Sequence, residues 1–206
     1  MQGGDFQAHR EREPYVLSLP RTLKMTSEQF WEICQINRDW RLERTKEGDV
    51  IVMPPTGALT GKRNLKLSAQ VSDWADRDGS GVAFDSSTGF ELPNGAMRSP
   101  DVAWVARARL AGLAGTDVER FLPLCPDFVV ELRSPTDKLS VLQQKLEEYI
   151  ANGAVLGWLI DPGDQRVYVY RPAQPVECLE HPNSLSGDPV LRGLSVDLAP
   201  IWAADL

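Results

Sequence analysis

The sequence predicts a mixed α/β (α+β) protein: a central mixed sheet flanked by helices, preceded by an N-terminal helix and a β-hairpin. Three observations predict it. The run "PDFVVELR" (126–133) is almost unbroken apolar residues around one acid, the pattern of a central strand buried on both faces. A helical stripe of Leu139, Leu142, Leu146, Tyr149 and Ile150 and a second apolar run, "VLGWLI", follow it. Strand, helix and strand in that order form a crossover unit, right-handed by default. Elsewhere, short alternating runs are punctuated by turn dipeptides such as Asn94-Gly95 and Pro162-Gly163.

The elements follow in order. Met1 to Pro14 is polar and charged; residues 1–20 read as a loose tail, and 21–206 read as one domain. Thr26 and Gln29 form a capping-box pattern that starts a helix over about 27–37 and buries Phe30 and Ile33. "WRLERTKEGDVIVMPP" alternates, turns at Gly48 and ends at Pro54-Pro55, so it predicts a hairpin carrying Glu43. Leu67, Val71 and Trp74 put a helix over 62–77, stopped at Gly79, with Lys62, Arg63 and Lys66 on its first turns. Those cations suit a solvated face or contacts to a phosphate backbone. Two or three strands occupy 81–105, and 106–122 read as short helix and loop. Ser134-Pro135-Thr136-Asp137 is a helix start, with Ser134 as cap and Pro135 in the first turn. That helix closes at Gly153. "RVYVY" is the hairpin partner of the strand ending at Ile160, and short strands are expected near 176–179 and 194–198.

Composition narrows the function. With 206 residues, 42% of them apolar and 25% charged, the chain is an ordinary globular one. No run approaches the roughly 20 apolar residues that span a bilayer. The N-terminus lacks the apolar segment of a secretory signal. A cytoplasmic protein without a membrane partner is therefore expected. Cys34, Cys125 and Cys178 are too far apart for a zinc motif, and only His9 and His181 could join them. There is no Gly-rich phosphate loop, no G-x-S-x-G elbow and no histidine placed for a triad. A net charge of −7 argues against coating nucleic acid by bulk attraction. It leaves room for a metal site, which itself needs carboxylates.

Two acids stand on apolar strands: Asp101 at the head of "DVAWV" and Glu131 within "FVVELR". A buried carboxylate is costly unless it is paired or binds a cation. On neighbouring strands the two would reach one Mg²⁺, which takes oxygen ligands and uses one or two carboxylates. The backbone carbonyl of Leu132 would add a third oxygen. Such an ion activates water and polarises a phosphoryl oxygen. Arg133, two residues after Glu131, shares its face and could steady developing charge. The competing structural reading pairs Glu131 with Arg133 or Lys145 and lets Asp101 cap the turn after Pro100. Asp85 and Glu91 read as solvated hairpin acids, and Asp161 as the start of the Pro-Gly turn.

From Thr26 to Pro172 the chain resembles the Uma-type family of restriction-endonuclease-like proteins, a branch of the PD-(D/E)XK nuclease superfamily. Glu43 followed by "EGDVIVMPP", then "SPDVAWV", "CPDFVVELRSPTD", "KLEEYIANG" and "WLIDP" carry the resemblance, in that order. It implies a restriction-endonuclease-like fold and Mg²⁺- or Mn²⁺-dependent hydrolysis of phosphodiester bonds, in DNA, by a two-fold homodimer. Asp101 matches the aspartate of the PD element and Glu131 the acid of the (D/E)XK half, both as metal ligands. The lysine position of that half holds Arg133, a departure, since Arg stays protonated and cannot act as a base. The resemblance supplies a helix lysine instead, Lys145. It lies ten residues beyond Pro135, about 15 Å along a helix axis, so the helix must run back beside its strand. Glu43 is the remaining candidate, as an assisting or water-positioning acid. A non-catalytic interaction module on the same fold is the alternative, motivated by the displaced lysine and the acidic charge.

Overall fold

In the structure, a computed structural model, residues 14–23, 25–113, 115 and 118–206 are described. Most of the expected tail, His9 included, lies outside them. Tyr15–Leu17 form strand β1 rather than tail, too short a run to register as a strand in the sequence. Helix α1 (Ser27–Ile36) starts as its capping box dictates, with Thr26 and Gln29 exchanging side-chain and backbone hydrogen bonds. The hairpin is β2 (Arg41–Arg44) and β3 (Val50–Met53). Helix α2 (Ala58–Asp78) begins one turn earlier than expected, from Gly57, and stops where Gly79 takes a left-handed conformation (φ 70°). Strands β4 (Gly81–Asp85), β5 (Phe90–Glu91), β6 (Met97–Arg98) and β7 (Val102–Ala106) follow, with β5 and β6 joined by the Asn94-Gly95 turn. After the short α3 (Arg107–Ala111) come β8 (Phe128–Leu132), α4 (Leu139–Ala151), β9 (Leu156–Asp161) and β10 (Arg166–Tyr170). Strands β11 (Glu177–Glu180), β12 (Ser184–Ser186) and β13 (Ser195–Asp197) and helix α5 (Ala199–Trp202) complete the order.

The start of α4 departs from expectation by a full turn. Asp137 bends back onto Ser134, its carboxylate taking the Ser134 N–H at 2.8 Å and its own N–H reaching the Ser134 carbonyl at 3.1 Å. These bonds close a separate turn and leave Lys138 as the helix cap. The residues that look like a helix start make a rival local structure, as Ser and Asp side chains do.

The central sheet has six strands in the order β11-β10-β9-β8-β7-β4; β8 and β9 are parallel and the other pairs antiparallel. A five-stranded antiparallel sheet, β1-β3-β2-β6-β5, lies beside it, and β12 and β13 form a small hairpin. Alternation along the central strands builds two cores. Val102, Trp104, Phe128, Val130 and Trp158 pack with Leu67, Val71 and Trp74 of α2 and with Leu185, Leu191, Leu194, Val196, Leu198 and Ile201 near the C-terminus. Ala103, Val105, Val129 and Leu159 face the other way, onto Leu146 and Tyr149 of α4. Phe30, Leu42, Val50 and Met97 fill the smaller core of the second sheet. The C-terminal quarter is thus part of the main core, which the sequence conceals because its apolar residues are single and separated by turns.

Candidate active site

Strand register decides whether the two strand acids meet. Strands β7 and β8 are antiparallel with Val102 opposite Val130. One step further out, Asp101 stands opposite Glu131. Directly opposed residues of an antiparallel pair share a face. That face is the α4 side, to which Ala103, Val105 and Val129 also point. The Asp101 carboxylate is fixed on both oxygens. Oδ2 accepts from the Leu132 N–H at 2.8 Å and Oδ1 from the Asn64 amide of α2 at 3.3 Å, with the Arg41 guanidinium 4.0 Å away.

Helix α4 packs against β8 and β9 and so carries Lys145 back over the sheet. Because the helix starts at Leu139, Lys145 lies only six residues, about 9 Å, from its beginning. Its ammonium is 2.9 Å from Oε1 of Glu131 and 2.8 Å from Oε1 of Glu43. Tyr149, one helical turn on, donates its hydroxyl to the same Glu131 oxygen at 3.1 Å. Glu43 is almost completely buried and meets three donors: Lys145, the Ser99 N–H at 3.0 Å and Arg98 at 3.0 Å. Arg98 in turn is held by Glu148 of α4 at 2.6 Å. Glu43 therefore orders the segment Arg98–Asp101 and Lys145, and its oxygens are taken by protein donors.

The electrostatics of the three acids diverge for physical reasons. Burial pushes the Glu131 carboxyl up to about 7; Lys145 pulls against burial while Asp101 and Glu43 push with it. Burial also raises Asp101, offset in part by the Leu132 N–H and Arg41. Glu43 is equally buried, yet Lys145 and Arg98 together carry it down to about 2. Burial disfavours the charged form of Lys145, but its two carboxylate neighbours outweigh that and raise it. One acid of the cluster is thus fully compensated, and the opposed pair Asp101 and Glu131 is short of positive charge.

Asp101, Glu131, Leu132 and Lys145 open onto a cleft of about 1310 Å³, walled by α2 and by the turn 134–137. The donor set suits a hard divalent cation: only oxygens, two carboxylates in register, and both carboxyls raised by burial. Among the described residues no three His, Cys, Asp or Glu side chains converge on a metal position, so two carboxylates would carry the ion with backbone oxygen and water. The cleft lining includes Arg41 and Lys145 as cations, against Asp39, Asp85, Asp101, Glu131 and Asp137.

Other expected site residues are placed differently. Arg133 turns to Asp161, at 2.5 Å, and to the carbonyl of Asp137, at 3.1 Å, so it ties β8 to β9 and to the turn before α4. Asp161 also starts the Pro-Gly turn as expected, accepting from Gly163 at 3.0 Å. Lys62 and Arg63 are drawn to the C-terminal segment, bonding the carbonyls of Asp205 and Ala203 at 2.7 and 2.9 Å. That removes two of the three cations expected to face a phosphate backbone, because the first turns of α2 pack against α5. Asp85 is an exposed turn acid bonded to Ser87, and Glu91 accepts from the Ser27 hydroxyl. Arg98, Glu148 and Asn64 carry no signal in the sequence as site residues, and Tyr149 reads there as core alone, although its spacing of four from Lys145 is a usable signal.

The mixed sheet flanked by helices is a restriction-endonuclease-like fold. The chain belongs to the Uma2 family, described as "Putative restriction endonuclease", whose model matches residues 27–199. Among solved structures it is similar to one from Anabaena variabilis ATCC 29413, described as "a putative nuclease belonging to DUF820". The two share 18% identity over 87% of this chain and 98% of that one, with a TM-score of 0.72, a likeness of fold. No curated protein matches the chain.

Proposed function

We propose that this protein is a divalent-metal-dependent endonuclease that hydrolyses phosphodiester bonds in DNA, with Mg²⁺ or Mn²⁺ held by Asp101 and Glu131. The observation that carries the reading is the register of β7 and β8, which sets those two acids side by side on one cleft wall with Lys145 2.9 Å from Glu131. A divalent cation there supplies Lewis acidity to a phosphoryl oxygen and lowers the pKa of a water. Asp101 is oriented for that duty by Leu132 and Asn64. Lys145 has three N–H donors and spends two on Glu131 and Glu43, which leaves one for a non-bridging oxygen of the substrate. Its charge then meets the charge that develops at phosphorus. Glu43 holds Lys145 and the strand start, and Arg133 acts through Asp161 on the sheet.

We place the protein in the cytoplasm, in keeping with three free thiols, and as a two-fold dimer, the usual way to cut both strands. No helix among the described residues is long and apolar enough to cross a membrane. Titration calorimetry with Mg²⁺ and Mn²⁺, run beside metal-dependent nicking of supercoiled plasmid, tests the reading. Wild-type protein binds the ion and nicks, Asp101→Ala loses both, and Lys145→Met keeps binding and loses nicking. If wild type neither binds metal nor nicks, the interaction-module alternative holds.

A further inference from the structure

Lys145 stands between two carboxylates at nearly equal distances, 2.8 Å from Glu43 and 2.9 Å from Glu131. That balance is not what the two acids alone would produce. Glu43 is the more deeply enclosed of the two. Left to itself it would hold the ammonium, because attraction between close charges is strong where water is excluded. What offsets it is a second cation on its far oxygen. Arg98 donates to Oε2 of Glu43 at 3.0 Å while Lys145 uses Oε1.

The Arg98 guanidinium is itself locked. Its Nε meets Glu148 at 2.6 Å, and Glu148 sits three residues from Lys145 on the same helix. The other Glu148 oxygen accepts from Asn94 in the turn between β5 and β6 at 3.0 Å. One planar fork therefore satisfies two acids at once and ties Glu43 of β2 to the helix that carries the lysine. Charge alternates along the whole line: Glu148, Arg98, Glu43, Lys145, Glu131.

We propose that Arg98 is a positioning residue: by sharing Glu43 it keeps the Lys145 ammonium against Glu131 and open to the cleft. Without Arg98, Glu43 draws the ammonium away from the reacting phosphate. The inference rests on the nuclease reading for its kinetic consequence, while the geometry it asserts can be read without any activity.

The experiment compares wild type with Arg98→Met, Arg98→Lys and the double variant Arg98→Met/Glu43→Gln. Plasmid nicking gives kcat and KM, calorimetry gives Mg²⁺ affinity, and melting checks the fold. Arg98→Met lowers kcat about ten- to hundred-fold, short of the roughly hundred- to thousand-fold cost of deleting a charge-stabilising group. KM and metal affinity stay within about two-fold, the signature of a loss confined to the transition state. Arg98→Lys falls between, since a point charge cannot serve both acids. The double variant is faster than Arg98→Met, because a neutral amide in place of the Glu43 carboxylate no longer captures the lysine. A double variant as slow as Arg98→Met, or slower, overturns the proposal and leaves Arg98 a structural tie.

Hydrogen-bond couplings between the ¹⁵N-labelled Lys145 ammonium and the carboxylates give the second readout. The coupling to Glu131 is present in wild type and lost in Arg98→Met; its persistence overturns the proposal even if wild type shows no nuclease activity. Should Arg98→Met not fold, Arg98→Lys, which keeps one charge but cannot serve both acids, weakens the same coupling. An unchanged coupling there counts equally against the proposal.

Discussion

Replacing Lys145 by Met removes the cation that touches both Glu43 and Glu131, and its cost can be worked from the surroundings. Lys145, Glu131 and Glu43 have side chains 8%, 5% and 2% exposed, so the pairs are buried. Breaking a buried pair costs about 3–5 kcal/mol when the stranded charge has no escape. Here both acids have partial escapes. Glu43 keeps Arg98 and the Ser99 N–H. Glu131 already titrates near 7 and can take a proton. The low end, about 3 kcal/mol at neutral pH, is therefore expected, which at roughly 2–4 °C per kcal/mol for a chain of this size lowers the melting temperature by about 6–12 °C.

The sign of the pH dependence follows from Glu131. Its folded pKa, about 7, lies above the unfolded value of 4.5, so its stabilising proton is fully present below 4.5 and lost as pH rises through 7. Loss of Lys145 raises the folded value further, so the variant is penalised more at alkaline than at acid pH. Calorimetric melts of wild type, Lys145→Met and Lys145→Met/Glu131→Gln across pH 5–9 check this. The double variant should recover stability, since it no longer buries an unpaired acid. A single variant that melts within about 2 °C of wild type at every pH refutes the electrostatic account of the cluster.

Three further outcomes are expected. Arg133→Gln strands the buried Asp161 and destabilises the fold by about 2–4 kcal/mol, yet leaves Mg²⁺ affinity by calorimetry unchanged; a large loss of affinity would return Arg133 to the metal site. Binding of duplex DNA, followed by fluorescence anisotropy in Ca²⁺, should depend weakly on salt, with a log–log slope no steeper than about −2, because Arg41 and Lys145 are the cations among the cleft-lining residues. A slope several times steeper moves the phosphate contacts to cations outside the cleft. A thiol reagent at pH 8 should label exposed Cys178 first, since burial pushes Cys34 up to about 11 and Cys125 up to about 12; fast reaction of Cys125 by mass spectrometry would contradict its burial.

What the sequence discloses and what it withholds have separate physical grounds. Asp101 and Glu131 stand out because a charge in an apolar run needs a reason, and that reason is local enough to read. The hairpin carrying Glu43, the capping box at Thr26 and the Asn94-Gly95 turn are legible on the same ground. The start of α4 misleads because Ser134 and Asp137 satisfy each other before they can cap a helix. Arg98 is invisible in one dimension: it contacts residues 50 and 55 positions away. The basic first turns of α2 invite an electrostatic reading, and only packing shows Lys62 and Arg63 bonded to the C-terminal segment.

Six apolar residues between Leu185 and Ile201 close the core over α2, the helix whose Asn64 steadies Asp101. The wall behind Asp101 is thus finished by a distant stretch of the chain, and peeling that stretch off α2 would loosen Asn64 and the carboxylate it holds.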